Sequence, residues 1–266
     1  MISRLLVGTD GSTSADLAVK RAVELAGRLG ARLTVTSVCS ASDLQGSHFG
    51  PHEASARRVG EGILLNVELH YGGKGVLLET MLEVGDPADR ICQLAEEEGV
   101  DLIVTGNRGL GGAGRFSLGN VPDKVAHHAP CSALIVDTTS GDDLPAYRRI
   151  VVGTDGSERA GRALTAAAEM AGATGASLLV VYAGEAARGA QVLKDVAGVI
   201  GETKFEKRVV EGEPAEALIG VAQTENADLI VVGNKGMTGA ARFLLGSVPD
   251  KVAHNAPCDV LIVRTS

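Results

Sequence analysis

The sequence predicts an α/β protein built from two tandem copies of one domain, each a five-stranded parallel sheet flanked by helices. Three observations carry this expectation: a long internal repeat, apolar runs that alternate with amphipathic stretches, and glycine-rich loops at matching places in both copies. Residues 101–136 read DLIVTGNRGLGGAGRFSLGNVPDKVAHHAPCSALIV, and residues 228–263 read DLIVVGNKGMTGAARFLLGSVPDKVAHNAPCDVLIV. Aligned without gaps, 26 of the 36 positions are identical. The openings match too, LLVGTDGS at 5–12 against IVVGTDGS at 150–157. The chain is a tandem duplication.

The offset between copies changes along the chain. It is 145 residues at the first strand and at Ala31 against Ala176, and 127 residues from Gly85 against Gly212 onward. The 18-residue difference falls in copy one, between its second and third strands. Residues 39–74 therefore make a longer excursion than 183–202. Domain one is expected at 1–138, a polar linker with Gly and Pro at 139–147, and domain two at 148–266.

Within copy one, ISRLLVG (2–8) reads as a short buried strand. Residues 13–29 place Leu17, Val19, Ala22, Val23, Leu25, Ala26 and Leu29 at mostly helical spacing, and Gly30 stops that helix. Further strands are expected at 32–38, 76–85, 101–106 and 133–137, and further helices at about 53–70, 87–98 and 120–128. Strands that alternate with helices imply right-handed crossovers and a parallel sheet covered on both faces. Ligands in such sheets bind beyond the carboxyl ends of the strands, where the strand order reverses.

Composition narrows the function. Hydrophobic residues make up 45% and charged ones 22%, as in a globular protein, while aromatics are only 3%, so Val, Leu, Ile and Ala must fill the core. A net charge of −8 disfavours nucleic acid as a partner, without opposing a small nucleotide in a local donor-rich pocket. Cys39, Cys92, Cys131 and Cys258 show no CxxC spacing and read as isolated buried thiols. No signal-peptide pattern precedes the first strand and no apolar run spans a bilayer, so a cytoplasmic location without membrane attachment is expected. His48 and His52 lie four apart, but Pro51 between them argues against a metal site on one helical face.

Two loops carry the least ordinary sequence. After the fourth strand, Gly233 and Gly236 are followed by nine residues and then Gly246-Ser247; copy one has Gly106, Gly109, nine residues, and Gly119-Asn120. Such glycines let main-chain N–H groups approach an anion, and the last pair opens a helix whose free N–H groups favour phosphate. Ser247 can add a hydroxyl donor, or serve as a helix N-cap with Asp250 at N3. After the first strand come Thr9-Asp10-Gly11-Ser12 and Thr154-Asp155-Gly156-Ser157. Their aspartates can accept from a ribose hydroxyl or bind Mg²⁺ through water, or simply hold the turn. Arg115 and Arg242, in the nine-residue spans, can fold over a triphosphate or remain solvated. His127 and His254, at the ends of matching helices, read as structural, and Lys124 and Lys251 as solvent-facing.

The pattern G-x2-G-x9-G-[ST] after a DLIVxG strand, with the opening VGTDGS, closely resembles the nucleotide-binding branch of the universal stress protein family. The resemblance covers nearly the whole chain, twice. It implies a Rossmann-like sheet of order 3-2-1-4-5, with ATP or AMP bound between the first and fourth strands. Cyclic AMP is a variant ligand and Mg²⁺ a companion of the nucleotide. It also implies that the fifth strands pair in a dimer, here copy against copy within one chain, with a homodimer of the tandem chain as a further level. Carried over by position, Thr154 and Asp155 would sit near the ribose and metal. Gly233, Gly236, Gly246, Ser247 and Val248 would wrap the phosphates and ribose, with Arg242 above them. The matching positions in copy one are Thr9, Asp10, Gly106, Gly109, Gly119, Asn120 and Val121. The main chain near Val38 and Tyr182 would meet the adenine.

Copy one departs from the pattern at Asn120, where the family has Ser or Thr. This predicts the tighter site in copy two, although the trimmed second helix there leaves the adenine side more open. The function expected is adenine-nucleotide binding in a stress-response or regulatory role without fast catalysis. The alternatives are a slow Mg-dependent ATP hydrolase and a nucleotide-free dimerisation scaffold. Neither an SGGxDS-like nor an HIGH-like loop is present.

Overall fold

Val, Leu and Ile crowd the short runs that become strands, because β-branched and bulky aliphatic side chains suit a pleated surface buried on both sides. The structure, a computed structural model, describes residues 2–40, 51–108, 118–139, 146–235 and 245–265. The described residues fall into two compact units, one within 2–139 and the other within 146–265.

In the first unit, β1 (Arg4–Gly8) pairs in parallel with β2 (Arg32–Cys39) on one side and with β4 (Leu102–Gly106) on the other. β3 (Leu77–Val84) adds in parallel outside β2, and β5 (Ser132–Val136) outside β4. The order is therefore 3-2-1-4-5. The second unit repeats it with β6 (Arg149–Gly153) in the centre. Around β6 lie β7 (Ser177–Ala183), β8 (Phe205–Val210), β9 (Leu229–Gly233) and β10 (Asp259–Val263), all parallel.

The helices of the first unit are α1 (Thr13–Leu29), α2 (Pro51–Tyr71), α3 (Pro87–Glu97) and α4 (Asn120–His128). Those of the second are α5 (Glu158–Thr174), α6 (Ala186–Ile200), α7 (Pro214–Glu225) and α8 (Ser247–Asn255). Right-handed crossovers place the first two helices of each unit on one face of its sheet and the last two on the other. Accordingly α3 packs on α4, α5 on α6 and α7 on α8. Leu6, Ile91, Leu94, Ile103, Val125 and Ala133 form the core under α3 and α4.

The glycine stop expected after the first helix is present: Gly30 is a left-handed cap with φ 64°, and Gly175 repeats it at 76°. Part of the 18-residue difference between copies is a longer second helix, 21 residues in α2 against 15 in α6. Residues 41–50, with His48, and most of the linker lie outside the described residues. Each sheet is also tied below its first strand. Asp101 Oδ2 accepts from Ser3 N, Ser3 Oγ and Arg4 N at 2.7, 2.8 and 3.0 Å. Asp228 Oδ2 accepts likewise from Arg148 N and Arg149 N.

The expectation of four buried thiols needs correction. Only Cys39 is buried; Cys92, Cys131 and Cys258 are half-buried, and none of the four is in a disulfide. Lys124 and Lys251 are exposed as expected, and each also reaches a carboxylate on the helix it packs against: Lys124 Nζ to Asp86 at 3.2 Å and Lys251 Nζ to Glu213 at 3.6 Å. Asp86 and Glu213 already cap α3 and α7, so each lysine completes a charge pair at a helix start. His127 and His254 are structural as expected, each Nδ1 lying 2.9 Å from the carbonyl four residues before it. Among the described residues no helix is long and apolar enough to cross a membrane.

Candidate functional site

The loop after β1 is held by its own side chains. Thr9 Oγ1 accepts from Gly11 N at 3.2 Å, Asp10 Oδ1 from Ser12 N at 3.0 Å, and Ser12 Oγ from Ala15 N at 3.2 Å, which caps α1. The second unit repeats all three steps with Thr154, Asp155 and Ser157. Gly11 and Gly156 turn the chain at φ +75° and +80°, a region L side chains avoid. Asp10 and Asp155 therefore hold the turn after β1 and β6, and the cap itself belongs to the serines. The loops stand at the carboxyl ends of the central strands, beside the ends of β4 and β9.

The loop after β4 is pinned at both ends. Asn107 O accepts from Gly119 N at 2.9 Å, and Asn234 O from Gly246 N at 2.9 Å. The asparagine side chains bind the segment after the fifth strand. Thr138 Oγ1 donates to Asn107 Oδ1 at 2.6 Å, and Thr265 Oγ1 to Asn234 Oδ1 at 2.7 Å. Asn234 and Thr265 are buried. Gly106 lies so close to α1 that a Cβ would stand 3.0 Å from Ser14 O, so only glycine fits without a shift. These asparagines were not singled out in the sequence, yet both copies carry Asn directly after the first motif glycine.

That clamp positions the start of α4 and α8. The N-caps are Gly119 and Gly246, not Asn120 or Ser247. Ser247 is thus the first residue inside the helix, exposed, and the N-cap alternative for it does not hold. A helix start leaves its first N–H groups without intrahelical acceptors. Asp123 N already reaches Gly119 O, Asp250 N reaches Gly246 O, and Pro122 and Pro249 have no N–H. Two main-chain donors remain at each site, on Asn120 and Val121, and on Ser247 and Val248.

The N-cap glycines have another property. Gly119 and Gly246 have φ −70°, which any residue adopts. A Cβ on Gly119 would meet its nearest described neighbours at 3.5 Å, and one on Gly246 at 3.4 Å, both ordinary contacts. Among the described residues the fold does not require glycine there. A Cβ there would stand at the helix start, next in the chain to the residues that carry the two free N–H groups.

The remaining predicted residues divide as follows. Tyr182 is buried, its ring packed under α6 against Gly184 and Gly189, so only its main chain is available to a ligand. Val38 and Val121 lean on the core under α3 and α4. Gly109, Gly236, Arg115 and Arg242 lie outside the described residues. One group that sequence reading missed is the residue before the second motif glycine. Lys235 is 7% exposed, and burial, then the charges of Arg264 and Arg159, lower its pKa. Its counterpart Arg108 has a buried Nε without a partner among the described residues.

Comparison with known proteins shows the family and the fold. The Universal stress protein family matches residues 1–137, 146–196 and 184–264. A universal stress protein of Mycobacterium tuberculosis is 41% identical over 147 residues, 46% of this chain and 100% of its own length. The crystal structure of a universal stress protein from Archaeoglobus fulgidus superposes with a TM-score of 0.82, covering 99% of this chain and 98% of that one at 23% identity. A universal stress protein solved in complex with cAMP is 44% identical over 46% of this chain and 100% of its own, with a TM-score of 0.41. With the family pattern matched across both copies and the doubled 3-2-1-4-5 sheet present, this chain belongs to the universal stress protein family.

Proposed function

We propose that each unit binds an adenine nucleotide at the carboxyl ends of its first and fourth strands, and that the protein acts in a regulatory or stress-response role rather than as a fast catalyst. The phosphates rest on the start of α4 or α8, against the paired N–H groups of Asn120 and Val121 or of Ser247 and Val248. The ribose faces Asp10 or Asp155, which can also hold a Mg²⁺ through water. The adenine meets the main chain beyond Val38 or Tyr182.

The N-cap glycines carry this reading. At a helix N-cap a side-chain acceptor stabilises the helix more than glycine does. Both copies keep glycine where the described fold has room for a Cβ, at the start of a helix whose first two main-chain donors are unused. A ligand that closes on the backbone explains the choice. Ser247 adds an exposed hydroxyl in the second unit, whereas Asn120 offers an amide in the first.

The test is direct. Freshly purified protein is denatured and its released small molecules are identified by mass spectrometry, with thermal melts against ATP, AMP and cyclic AMP in parallel. Ligand at ~100 times its Kd stabilises by about 2.7 kcal/mol, so melting should rise with concentration. Co-purified adenine nucleotide or such a rise is the expected result. An empty protein without a shift for any of the three refutes the proposal.

A further inference from the structure

The two sites are built on the same backbone but carry different charge. Beside the last motif glycine of the second unit stands Lys235, whose Cα would lie 3.6 Å from a Cβ on Gly246. Arg159, on the first turn of α5, brings its carbonyl to the end of β9, where it would lie 3.8 Å from a Cβ on Gly233. Arg264 directly follows β10, next to the Thr265 that binds Asn234. Both arginine charges are near enough to disfavour protonation of the buried Lys235. Three cations therefore surround the start of the fourth-strand loop of the second unit.

Their counterparts in the first unit are Ser14, Arg108 and Asp137. Here Ser14 Oγ lies 3.2 Å from Thr138 Oγ1. Asp137 Oδ1 accepts from Asn107 Nδ2 at 3.0 Å and from Thr139 Oγ1 at 2.8 Å. The trio is neutral overall, and a carboxylate occupies the position of Arg264. Positive charge summed at a site strengthens its hold on an anion, whatever other partners those side chains have.

We infer that the second unit selects its ligand by anionic charge, taking a triphosphate in preference to a cyclic or single phosphate, and that Arg159, Lys235 and Arg264 determine this specificity. The first unit lacks this preference. The inference rests on the nucleotide reading above for the identity of the ligand, but not for its charge.

The full chain is titrated calorimetrically with ATP, cyclic AMP and inorganic tripolyphosphate. The Arg159→Gln/Arg264→Gln double variant and the single Ser14→Arg variant are titrated alongside. In the unaltered chain ATP should show one site about tenfold or more tighter than the other, with the tight site weakening as salt rises. Cyclic AMP should show sites within about threefold of each other, because a single charge gains little from the extra cations. The double variant should lose the tight ATP site by about tenfold and keep cyclic AMP within about threefold. Ser14→Arg should strengthen the weak ATP site; should the double variant fail to fold, the absence of that gain overturns the inference. An unchanged ATP isotherm in a folded double variant, or equal losses for ATP and cyclic AMP, also overturns it. The nucleotide reading fails separately. Binding of tripolyphosphate that the double variant loses, with no nucleotide bound by either, upholds the charge-selective site and refutes the nucleotide. Binding of none of the three refutes both.

Discussion

Replacing Gly246 by alanine separates a glycine kept for a ligand from one kept for the chain, and Gly156→Ala is its control. At Gly246 the backbone sits at φ −70° and ψ 158°, and a Cβ meets nothing described closer than 3.4 Å. Alanine caps a helix worse than glycine, by about 0.5–1 kcal/mol. It also restricts the unfolded chain, which returns about 0.4–1 kcal/mol. The two nearly cancel, so the melting temperature should move by roughly 2 °C or less. ATP affinity at the second site should fall by about tenfold or more, equivalent to ~1.4 kcal/mol, because the proposal seats the phosphates on the backbone beside that methyl group. At Gly156 the balance reverses. Its φ of +80° costs alanine about 1–2 kcal/mol, and the new Cβ would lie 2.9 Å from Val192 Cγ2. A total near ~2–3 kcal/mol lowers the melting temperature by roughly 5–10 °C. Differential scanning calorimetry reads the first quantity and isothermal titration with ATP the second. If Gly246→Ala destabilises as strongly as Gly156→Ala and leaves ATP binding unchanged, the cap glycine is structural and the reasoning from it fails.

Other predictions concern the frame. Burial works to raise the pKa of Asp101, but the hydrogen bonds from Ser3 and Arg4 outweigh it, so its folded value lies below the ordinary one. Its contribution is present above about pH 4 and is lost as pH falls through the folded pKa. Asp101→Asn should therefore cost about 1–2 kcal/mol near neutrality and much less near pH 3, measured by urea unfolding at both. Tyr147 Oη donates to Asp259 at 2.6 Å with both residues buried, so Tyr147→Phe should destabilise the second unit by about 1.5–3 kcal/mol in the same assay. An unchanged midpoint would show that Asp259 is satisfied otherwise. Burial, then the Asp89 charge, pushes the Cys92 thiol up to about 11, so iodoacetamide at pH 8 should label it only on unfolding. Rapid labelling of the native chain would contradict that burial.

Much of the architecture was legible before any coordinates. Duplication, the alternation of strands and helices, and the Gly30 stop are local or repetitive signals, and each reappears in the structure. The two glycine loops were legible for the same reason, since glycine marks places where a backbone comes close or turns through positive φ. What glycine spacing could not separate was motive. Gly11 and Gly156 serve the turn, Gly106 serves the approach of α1, and Gly119 and Gly246 serve neither. That distinction needs dihedrals and neighbouring atoms. The N-cap alternative for Ser247 fails for a related reason: Ser is the better cap by propensity, but the clamp of Gly246 N on Asn234 O starts the helix one residue earlier, with Gly246 as the cap.

The sequence alone determined the repeat, the class of fold and the loops in which chemistry would lie, because periodicity and turn chemistry act between near neighbours. Only the tertiary structure decided what surrounds those loops. Residues 159, 235 and 264 are far apart along the chain and meet because parallel strands bring all their carboxyl ends to one edge. Each is unremarkable in its own segment. Their charges add only once the sheet places them together, as do the substitutions that make residues 14, 108 and 137 neutral in the other copy.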